Sequence, residues 1–119
     1  MFTVKRIYEP AENADGYRVL VDRLWPRGLT KEEARLDEWL KDIAPSPALR
    51  KWYSHEIEKW PDFVRRYRRE LEGHGELIDR LAGQGRKGNV TLLFAARDEE
   101  HNSAIVLRDV LKSRGGLRK

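Results

Sequence analysis

The sequence contains no cysteine and no long apolar run. Without cysteine, the chain can form no disulfide, no thiolate zinc site and no cysteine nucleophile. No segment approaches the roughly 20 consecutive apolar residues that a membrane span requires. Residues 1–6 also lack the charged stretch followed by an apolar stretch that is typical of a secretory signal. We therefore expect a cytoplasmic protein without a membrane segment.

The sequence patterns of metal, dinucleotide and serine-nucleophile sites are also absent. His55, His74 and His101 show no His-x-x-x-His spacing. The glycine-rich stretch 83–88 precedes a predicted strand, whereas the glycine loop of dinucleotide-binding proteins follows a strand and opens a helix. No Gly-x-Ser-x-Gly elbow occurs. We predict neither a bound metal nor a cofactor.

The charge balance is mildly basic. The chain has 24 Lys and Arg against 20 Asp and Glu, which gives a net charge of +4. This excess is smaller than in many nucleic-acid-binding proteins, so it permits an anionic partner without requiring one. A length of 119 residues fits one domain. We predict a single domain over residues 1–119, in which residues 113–119 form a short basic tail.

Apolar patterning predicts a small β-sheet. Residues 2–8 approach the alternation of a half-buried strand, and turn-forming residues follow over 10–16. Residues 17–22 and 90–96 are nearly continuous apolar runs bounded by charged residues, a pattern typical of strands covered on both faces. Because helical segments separate these strands, we predict a compact layered α/β domain. Its small, mostly parallel central sheet is flanked by helices.

Capping signals predict where the first helices begin. Thr30 and Glu33 form a capping box, which predicts a helix from about residue 31. Ser46 is followed by proline, which predicts a short helix over residues 47–55. The segment between them, residues 36–43, has helical spacing but is short, so its patterning fits either a helix or a strand.

Helical spacing predicts three further helices. One apolar stripe consists of Trp60, Phe63, Val64, Tyr67 and Leu71. A helix after it is predicted to stop at glycines 83 and 85, and a final helix is predicted to stop at glycines 115 and 116.

Two loops follow the buried strands and carry the residues best suited to chemistry. In parallel α/β sheets, ligands bind beyond the carboxyl ends of the strands. The candidates are Asp22, Arg23, Trp25 and Arg27 in the first loop, and Arg97, Asp98, His101 and Asn102 in the second. Arg50 is a candidate for additional positive charge. An alternative interpretation is structural: Asp22 with Arg97, or Asp98 with Arg23, would tie the loops together as ion pairs, and Asp98 also suits a helix cap.

Several segments together resemble a known family. They are residues 21–28 (VDRLWPRG), 44–46 (APS), 49–53 (LRKWY) with His55, and 90–98 (VTLLFAARD). The chain resembles the YeaO-like family of small bacterial proteins, a domain of unknown function. The resemblance implies a compact α/β domain in which the two loops belong to one feature. It also implies a small polar residue near position 102, which Asn102 satisfies, and an extended segment after Arg35.

We predict that the two loops bind a small anionic ligand that carries phosphate, such as a nucleotide. Arg23, Arg27 and Arg97 would bind the anion, because the planar guanidinium group matches phosphate geometry. Trp25 would stack on a ring of the ligand.

The residues alone leave open whether a reaction occurs at this site. If the protein is an enzyme, we expect a metal-independent hydrolase or group transferase acting on a phosphorylated or nucleotide-like substrate. Asp22 or Asp98 would orient a water or a hydroxyl group, and Asp98 or His101 would act as general acid or base.

An alternative function is nucleic-acid binding by an arginine-rich helix and the basic tail. The arginine cluster comprises Arg65, Arg66, Arg68 and Arg69. Glu70 and Glu72 follow Arg66 and Arg68 by four residues, which predicts ion pairs and an ordinary solvated helix face. Nucleic-acid binding predicts steep salt dependence. The patterning leaves the oligomeric state open.

Overall fold

A computed structural model describes residues 1–117, with side chains through Arg114. Its strands and α-helices, in chain order, are β1 (Phe2–Arg6), β2 (Tyr17–Leu20), α1 (Lys31–Ala34), β3 (Glu38–Trp39), α2 (Pro47–Tyr53), α3 (Trp60–Glu72), α4 (Gly75–Lys87), β4 (Val90–Phe94) and α5 (Ser103–Leu117). Single turns of 3-10 helix lie at Asn13–Asp15, Lys41–Ile43 and Ile57–Lys59.

The strands form one sheet in the order β1-β4-β2-β3. Every pairing is parallel, and β4 lies between β1 and β2 with Val90 in register with both Phe2 and Tyr17. The predicted α/β fold with a parallel sheet is confirmed. Because the strands are parallel, their carboxyl ends lie at one edge of the sheet, and the loops after β2 and β4 leave side by side.

The two central strands are buried on both faces, which explains their continuous apolar sequences. Val19 and Leu92 belong to the larger core cluster, beneath α2 to α5. Leu20 and Leu93 point to the opposite face and pack into a smaller cluster. That cluster is completed by residues of α1, β3 and neighbouring loops, among them Ala34, Trp25 and Trp39.

The predicted helix starts of α1 and α2 are confirmed. Thr30 and Glu33 satisfy each other's backbone N–H groups in a capping box. The Ser46 hydroxyl accepts a hydrogen bond from the backbone N–H of Leu49 at 3.1 Å. The segment 36–43, which its patterning left open, contains the short strand β3 and a 3-10 turn. Extended structure after Arg35 therefore agrees with the expectation from the family resemblance.

Three predicted helix ends are wrong. Helix α2 ends at Tyr53, because Ser54 and His55 adopt left-handed backbone angles with φ of 44° and 58°. Helix α4 continues through glycines 83 and 85 to Lys87. Gly85 is required there by packing, since a Cβ atom at this position would lie 2.3 Å from Cζ of Phe2.

The final helix also passes its predicted end, glycines 115 and 116, and reaches Leu117. Residues 113–117 of the predicted basic tail therefore lie in α5, and residues 118 and 119 lie outside the described residues.

The charged face of α3 differs from the predicted pattern of ion pairs. Glu70 accepts hydrogen bonds from the backbone N–H and the hydroxyl of Ser46, at 2.8 and 2.6 Å. Arg65 pairs with Asp62. Within residues 1–114, neither Arg66 nor Arg68 forms an ion pair with Glu70 or Glu72. For Arg66 the reason is that both carboxylate oxygens of Glu70 accept hydrogen bonds from Ser46, which caps α2.

Across residues 1–117, no helix is long and apolar enough to cross a membrane. Within the same described residues, no group of three or more His, Asp or Glu side chains is arranged to hold a metal ion.

Candidate functional site

A cleft of about 650 Å³ opens beyond the carboxyl ends of β2 and β4. This volume lies within the range of small-molecule sites, roughly 300–1,000 Å³. The loop after β2, helix α2 and the start of α5 contribute its walls. Its polar and aromatic lining residues are Tyr8, Asp22, Arg23, Trp25, Arg27, Arg50, Lys51, Tyr53, His55, Phe63, Phe94, His101, Asn102 and Ser103.

Asp22 is the only acidic residue that lines the cleft within the described chain. One carboxylate oxygen accepts a hydrogen bond from the backbone N–H of Ala95 at 2.8 Å, which joins the loop after β2 to the loop after β4. Burial raises the pKa of Asp22, while the Ala95 N–H and the charge of Arg50 oppose that shift. The other carboxylate oxygen has no hydrogen-bond partner among the described residues and is accessible from the cleft.

Arg23 and Trp25 serve the fold as well as lining the cleft. The Arg23 guanidinium donates to the backbone carbonyls of Ala44 and Pro45, at 3.2 and 3.4 Å, and so fixes the start of the α2 segment. The Trp25 indole N–H donates to the carbonyl of Leu29 at 2.6 Å, and its ring meets Trp39 edge to face, with centroids 5.3 Å apart. Trp25 is therefore a packed wall of the cleft.

Three further cations line the cleft: Arg27, Arg50 and Lys51. All three side chains are exposed, and none forms an ion pair within residues 1–114. Arg50 is close enough to Asp22 for its charge to lower the pKa of that carboxyl group. The backbone carbonyl of Arg27 accepts a hydrogen bond from the Tyr8 hydroxyl at 2.8 Å, which fixes the loop that carries the Arg27 guanidinium.

The loop after β4 folds around Asp98 before α5 begins. Asp98 accepts hydrogen bonds from the backbone N–H groups of Glu100 and His101, both at 2.9 Å, and these bonds lower its pKa. Its second oxygen lies 3.0 Å from Nδ1 of His101. Because an ionised carboxylate only accepts hydrogen bonds, His101 must carry a proton on Nδ1. His101 Nε2 has no partner in the described chain and is accessible from the cleft.

Asn102 is the cap of α5. Its side-chain oxygen accepts a hydrogen bond from the N–H of Ile105 at 3.1 Å, and its amide donates to the carbonyl of Asp98 at 3.0 Å. The cap that the sequence suggested at Asp98 is thus supplied by Asn102, four residues later. Ser103 follows in the first turn of α5, so the positive end of this helix dipole faces the cleft.

The structure brings together seven of the predicted site residues: Asp22, Arg23, Trp25, Arg27, Arg50, His101 and Asn102 all line the cleft. It does not bring Arg97 there, and Arg97 is exposed. Asp98 lies behind His101 and does not line the cleft. Neither alternative ion pair, Asp22 with Arg97 or Asp98 with Arg23, forms within residues 1–114.

Sequence reasoning missed Tyr53 as a cleft residue. Its ring is 6% exposed and packs against Phe63, with centroids 4.6 Å apart. Its hydroxyl forms no hydrogen bond in the described chain, yet it is not buried, so it opens into the cleft. Burial is the larger cause that raises the Tyr53 pKa, and the charge of Asp98 adds to it. The signal that could have predicted its place in the cleft is its spacing of three residues from Arg50, which puts both side chains on one face of a helix.

Comparison with known proteins identifies the family. A family model described as the inactive DUF488-N3 subclade matches residues 1–116. The uncharacterised protein YeaO of Escherichia coli (strain K12) is 48% identical over 109 residues, which cover 92% of this chain and 95% of that protein. The chain belongs to the YeaO-like family.

YeaO-like relatives extend beyond Escherichia coli. The uncharacterised proteins Rv3073c of Mycobacterium tuberculosis (strain H37Rv) and Mb3100c of Mycobacterium bovis are each 41% identical over 111 residues, covering 93% of both chains. The family resemblance that the sequence suggested is therefore confirmed. No solved structure matches the chain.

Proposed function

We propose that this protein binds a small anionic ligand, a phosphate ester such as a nucleotide, in the cleft beyond β2 and β4. The observation that carries the proposal is the charge imbalance of the cleft. Arg27, Arg50 and Lys51 face it without an ion-pair partner within residues 1–114, and Arg23 is bonded only to backbone carbonyls. Asp22 is the single acidic lining residue of the described chain.

The cleft's surroundings support an anion over a neutral ligand. Exposed cations that converge on one concave surface repel each other, and a bound phosphate relieves that repulsion. The first turn of α5 adds partial positive charge at Ser103. Because burial raises the pKa of Asp22, its opposing negative charge is removed at a higher pH than that of an ordinary aspartate.

Binding without catalysis is the form of the proposal that the family favours, since the matching subclade is described as inactive. The sequence also suggested a metal-independent hydrolase or transferase with Asp98 or His101 as acid or base. His101, held by Asp98, would then contact the ligand instead of transferring a proton. We also place the protein in the cytoplasm, as the absence of cysteine suggested.

Arg50 offers a cleaner test than Arg23, because Arg23 also holds the Ala44 and Pro45 carbonyls. We expect Arg50→Ala to weaken binding of phosphate esters about 10- to 100-fold, the loss expected for one hydrogen-bonded charge contact of about 1.5–3 kcal/mol. The measurement is isothermal titration calorimetry at fixed ionic strength. Arg69→Ala, on the exposed face of α3, is the matched control and should bind as the unchanged protein does. Equal affinity in both variants would overturn the proposal.

A second candidate function, nucleic-acid binding, is favoured by one feature of α3. Arg66, Arg68 and Arg69 form no ion pair within residues 1–114, and Glu70, the predicted partner of Arg66, is held by Ser46 instead. Arg66 instead lies over the ring of Trp52, 4.1 Å from its centroid. This function predicts binding of DNA or RNA that falls steeply with salt. It also predicts the reverse mutational pattern: the double variant Arg66→Ala/Arg69→Ala should lose affinity for DNA or RNA, and Arg50→Ala should not.

A further inference from the structure

Polar atoms that the fold leaves unused cluster on the side of the cleft where α2 faces the start of α5. They are the Tyr53 hydroxyl and Nε2 of His101, and neither has a hydrogen-bond partner in the described chain. The Tyr53 residue is 6% exposed, and its hydroxyl is accessible, so a ligand in the cleft can reach this unpaired group. Both side chains contact Trp60, whose ring centroid lies 5.8 Å from that of Tyr53 and 5.2 Å from that of His101.

The orientation of His101 defines what this pair of atoms recognises. Asp98 accepts from Nδ1, and the His101 ring meets Trp60 edge to face at 5.2 Å between centroids. With the Nδ1 proton held by Asp98, Nε2 is the nitrogen that accepts a hydrogen bond when the ring is neutral. The Tyr53 hydroxyl can donate or accept. Together they match a ligand edge that offers an N–H donor beside a second polar atom, as heterocyclic bases do.

A third residue, His55, supplies a ring at the same side. His55 and Ser54 both have left-handed backbone angles, φ 58° and 44°, a rare conformation for residues other than glycine. This geometry turns the chain back after α2. It leaves the exposed His55 ring in the cleft lining, with its centroid 5.9 Å from that of Tyr53.

Arg50 and Tyr53 lie three residues apart in α2, so both side chains project from one face of the helix. One helical turn spans about 5.4 Å. The anion-binding cations and the Tyr53–His101 pair are therefore adjacent parts of one cleft.

We propose that Tyr53, His55 and His101 form a base-recognition subsite, so that the anionic ligand of this cleft is a nucleoside monophosphate. The inference rests on the proposed function and deepens it. The phosphate contacts Arg50 and its neighbouring cations. The base lies against the His55 ring, and its edge contacts the Tyr53 hydroxyl and His101 Nε2.

The test compares probes that share a phosphate and differ in the ring. Calorimetric titrations use inorganic phosphate, ribose 5-phosphate and the four common ribonucleoside 5′-monophosphates. At least one nucleotide is expected to bind about 10-fold more tightly than ribose 5-phosphate, as base stacking and one edge hydrogen bond together provide. Tyr53→Phe, which keeps the ring against Phe63, should reduce that nucleotide's affinity about 5- to 10-fold and leave ribose 5-phosphate unchanged. His55→Ala should reduce it about 5-fold or more.

Tyr17→Phe is the matched control. It removes a hydroxyl that donates to Glu38 in the part of β2 away from the cleft, so it should bind every probe as the unchanged protein does. Unfolding midpoints of all variants check that each is folded. If nucleotides bind no more tightly than ribose 5-phosphate, or if Tyr53→Phe binds them normally, the base subsite is wrong while anion binding stands. If the unchanged protein binds none of the probes, phosphate included, both proposals fail.

Discussion

Gly85 allows a test of the packing between α4 and the sheet. A Cβ atom at this position would lie 2.3, 2.8 and 2.9 Å from Cζ, Cε2 and Cε1 of Phe2, whereas carbon atoms in ordinary contact are about 3.5–4.0 Å apart. The Phe2 ring is 9% exposed in β1 and belongs to the main core cluster, so it can retreat only by disturbing its neighbours. Overpacking of this kind costs about 1–3 kcal/mol.

Gly85→Ala also gains helix propensity of about 0.5–1 kcal/mol, because alanine is less flexible in the unfolded chain. The net expectation is a loss of about 1–2 kcal/mol in the free energy of unfolding, or about 4–8 °C in Tm for a domain of this size. Urea titration followed by far-UV circular dichroism measures the free energy directly.

Gly83→Ala is the matched control, two residues earlier in α4. Its Cβ would have Arg86 Nη2 as nearest neighbour at 3.5 Å, an ordinary contact, so this variant should gain about 0.5–1 kcal/mol. In a Phe2→Leu background the clash is removed, and Gly85→Ala should become neutral or stabilising. If Gly85→Ala equals Gly83→Ala in the unchanged background, the packing of α4 on Phe2 is wrong.

Two further predictions concern the cleft loops. Because burial raises the pKa of Asp22, the ionised carboxylate opposes folding above that pKa, and Asp22→Asn should be more stable than the unchanged protein at about pH 7. Its advantage in urea titrations should shrink as the pH falls through the raised pKa of Asp22, and it should be smallest below about pH 3, where the carboxyl group is mostly protonated in both the folded and the unfolded state. A constant difference would contradict the assignment. Asn102→Ala removes the cap of α5 and should cost about 1–2 kcal/mol, while Asn102→Asp, which keeps the acceptor for Ile105, should retain most of that stability. Equal losses in the two Asn102 variants would show that the hydrogen bond from Ile105 does not provide this stability.

Local signals in the sequence were sufficient where a short stretch determines its own structure. The Thr30–Glu33 capping box and Ser46 before a proline each predicted a helix start, because capping satisfies N–H groups within a few residues. The apolar runs of β2 and β4 predicted buried parallel strands, because a strand whose two faces both pack against the core needs apolar residues at every position. The two predicted strands also indicated where the cleft would lie, since their carboxyl ends share one edge of the sheet.

The sequence was insufficient where a distant residue decides the outcome. From the sequence alone, Gly85 predicts a helix end. In the structure, α4 continues through it, and the ring of Phe2, 83 positions earlier in the chain, leaves no room there for a side chain. Glu70 has the spacing of an ion pair with Arg66, yet Ser46 offers it two donors across the fold. Neither contact is encoded in the periodicity of its own helix, so pattern reading alone cannot find it.

The same distinction separates supporting residues from candidate ligand contacts within the cleft. Arg23 and Trp25 make the sequence 21–28 distinctive. Arg23 donates hydrogen bonds to the carbonyls of Ala44 and Pro45, and Trp25 donates one to the carbonyl of Leu29. Their first effect is to hold the cleft open in a fixed shape. Arg50, Tyr53 and His101 keep polar atoms that nothing else in the described chain satisfies. Arg23 and Trp25 donate to backbone carbonyls, whereas the Arg50 guanidinium and the accessible Tyr53 hydroxyl have no hydrogen-bond partner within the described residues. If the proposed function is right, Arg50 and Tyr53 are therefore the positions where substitution should separate binding from stability.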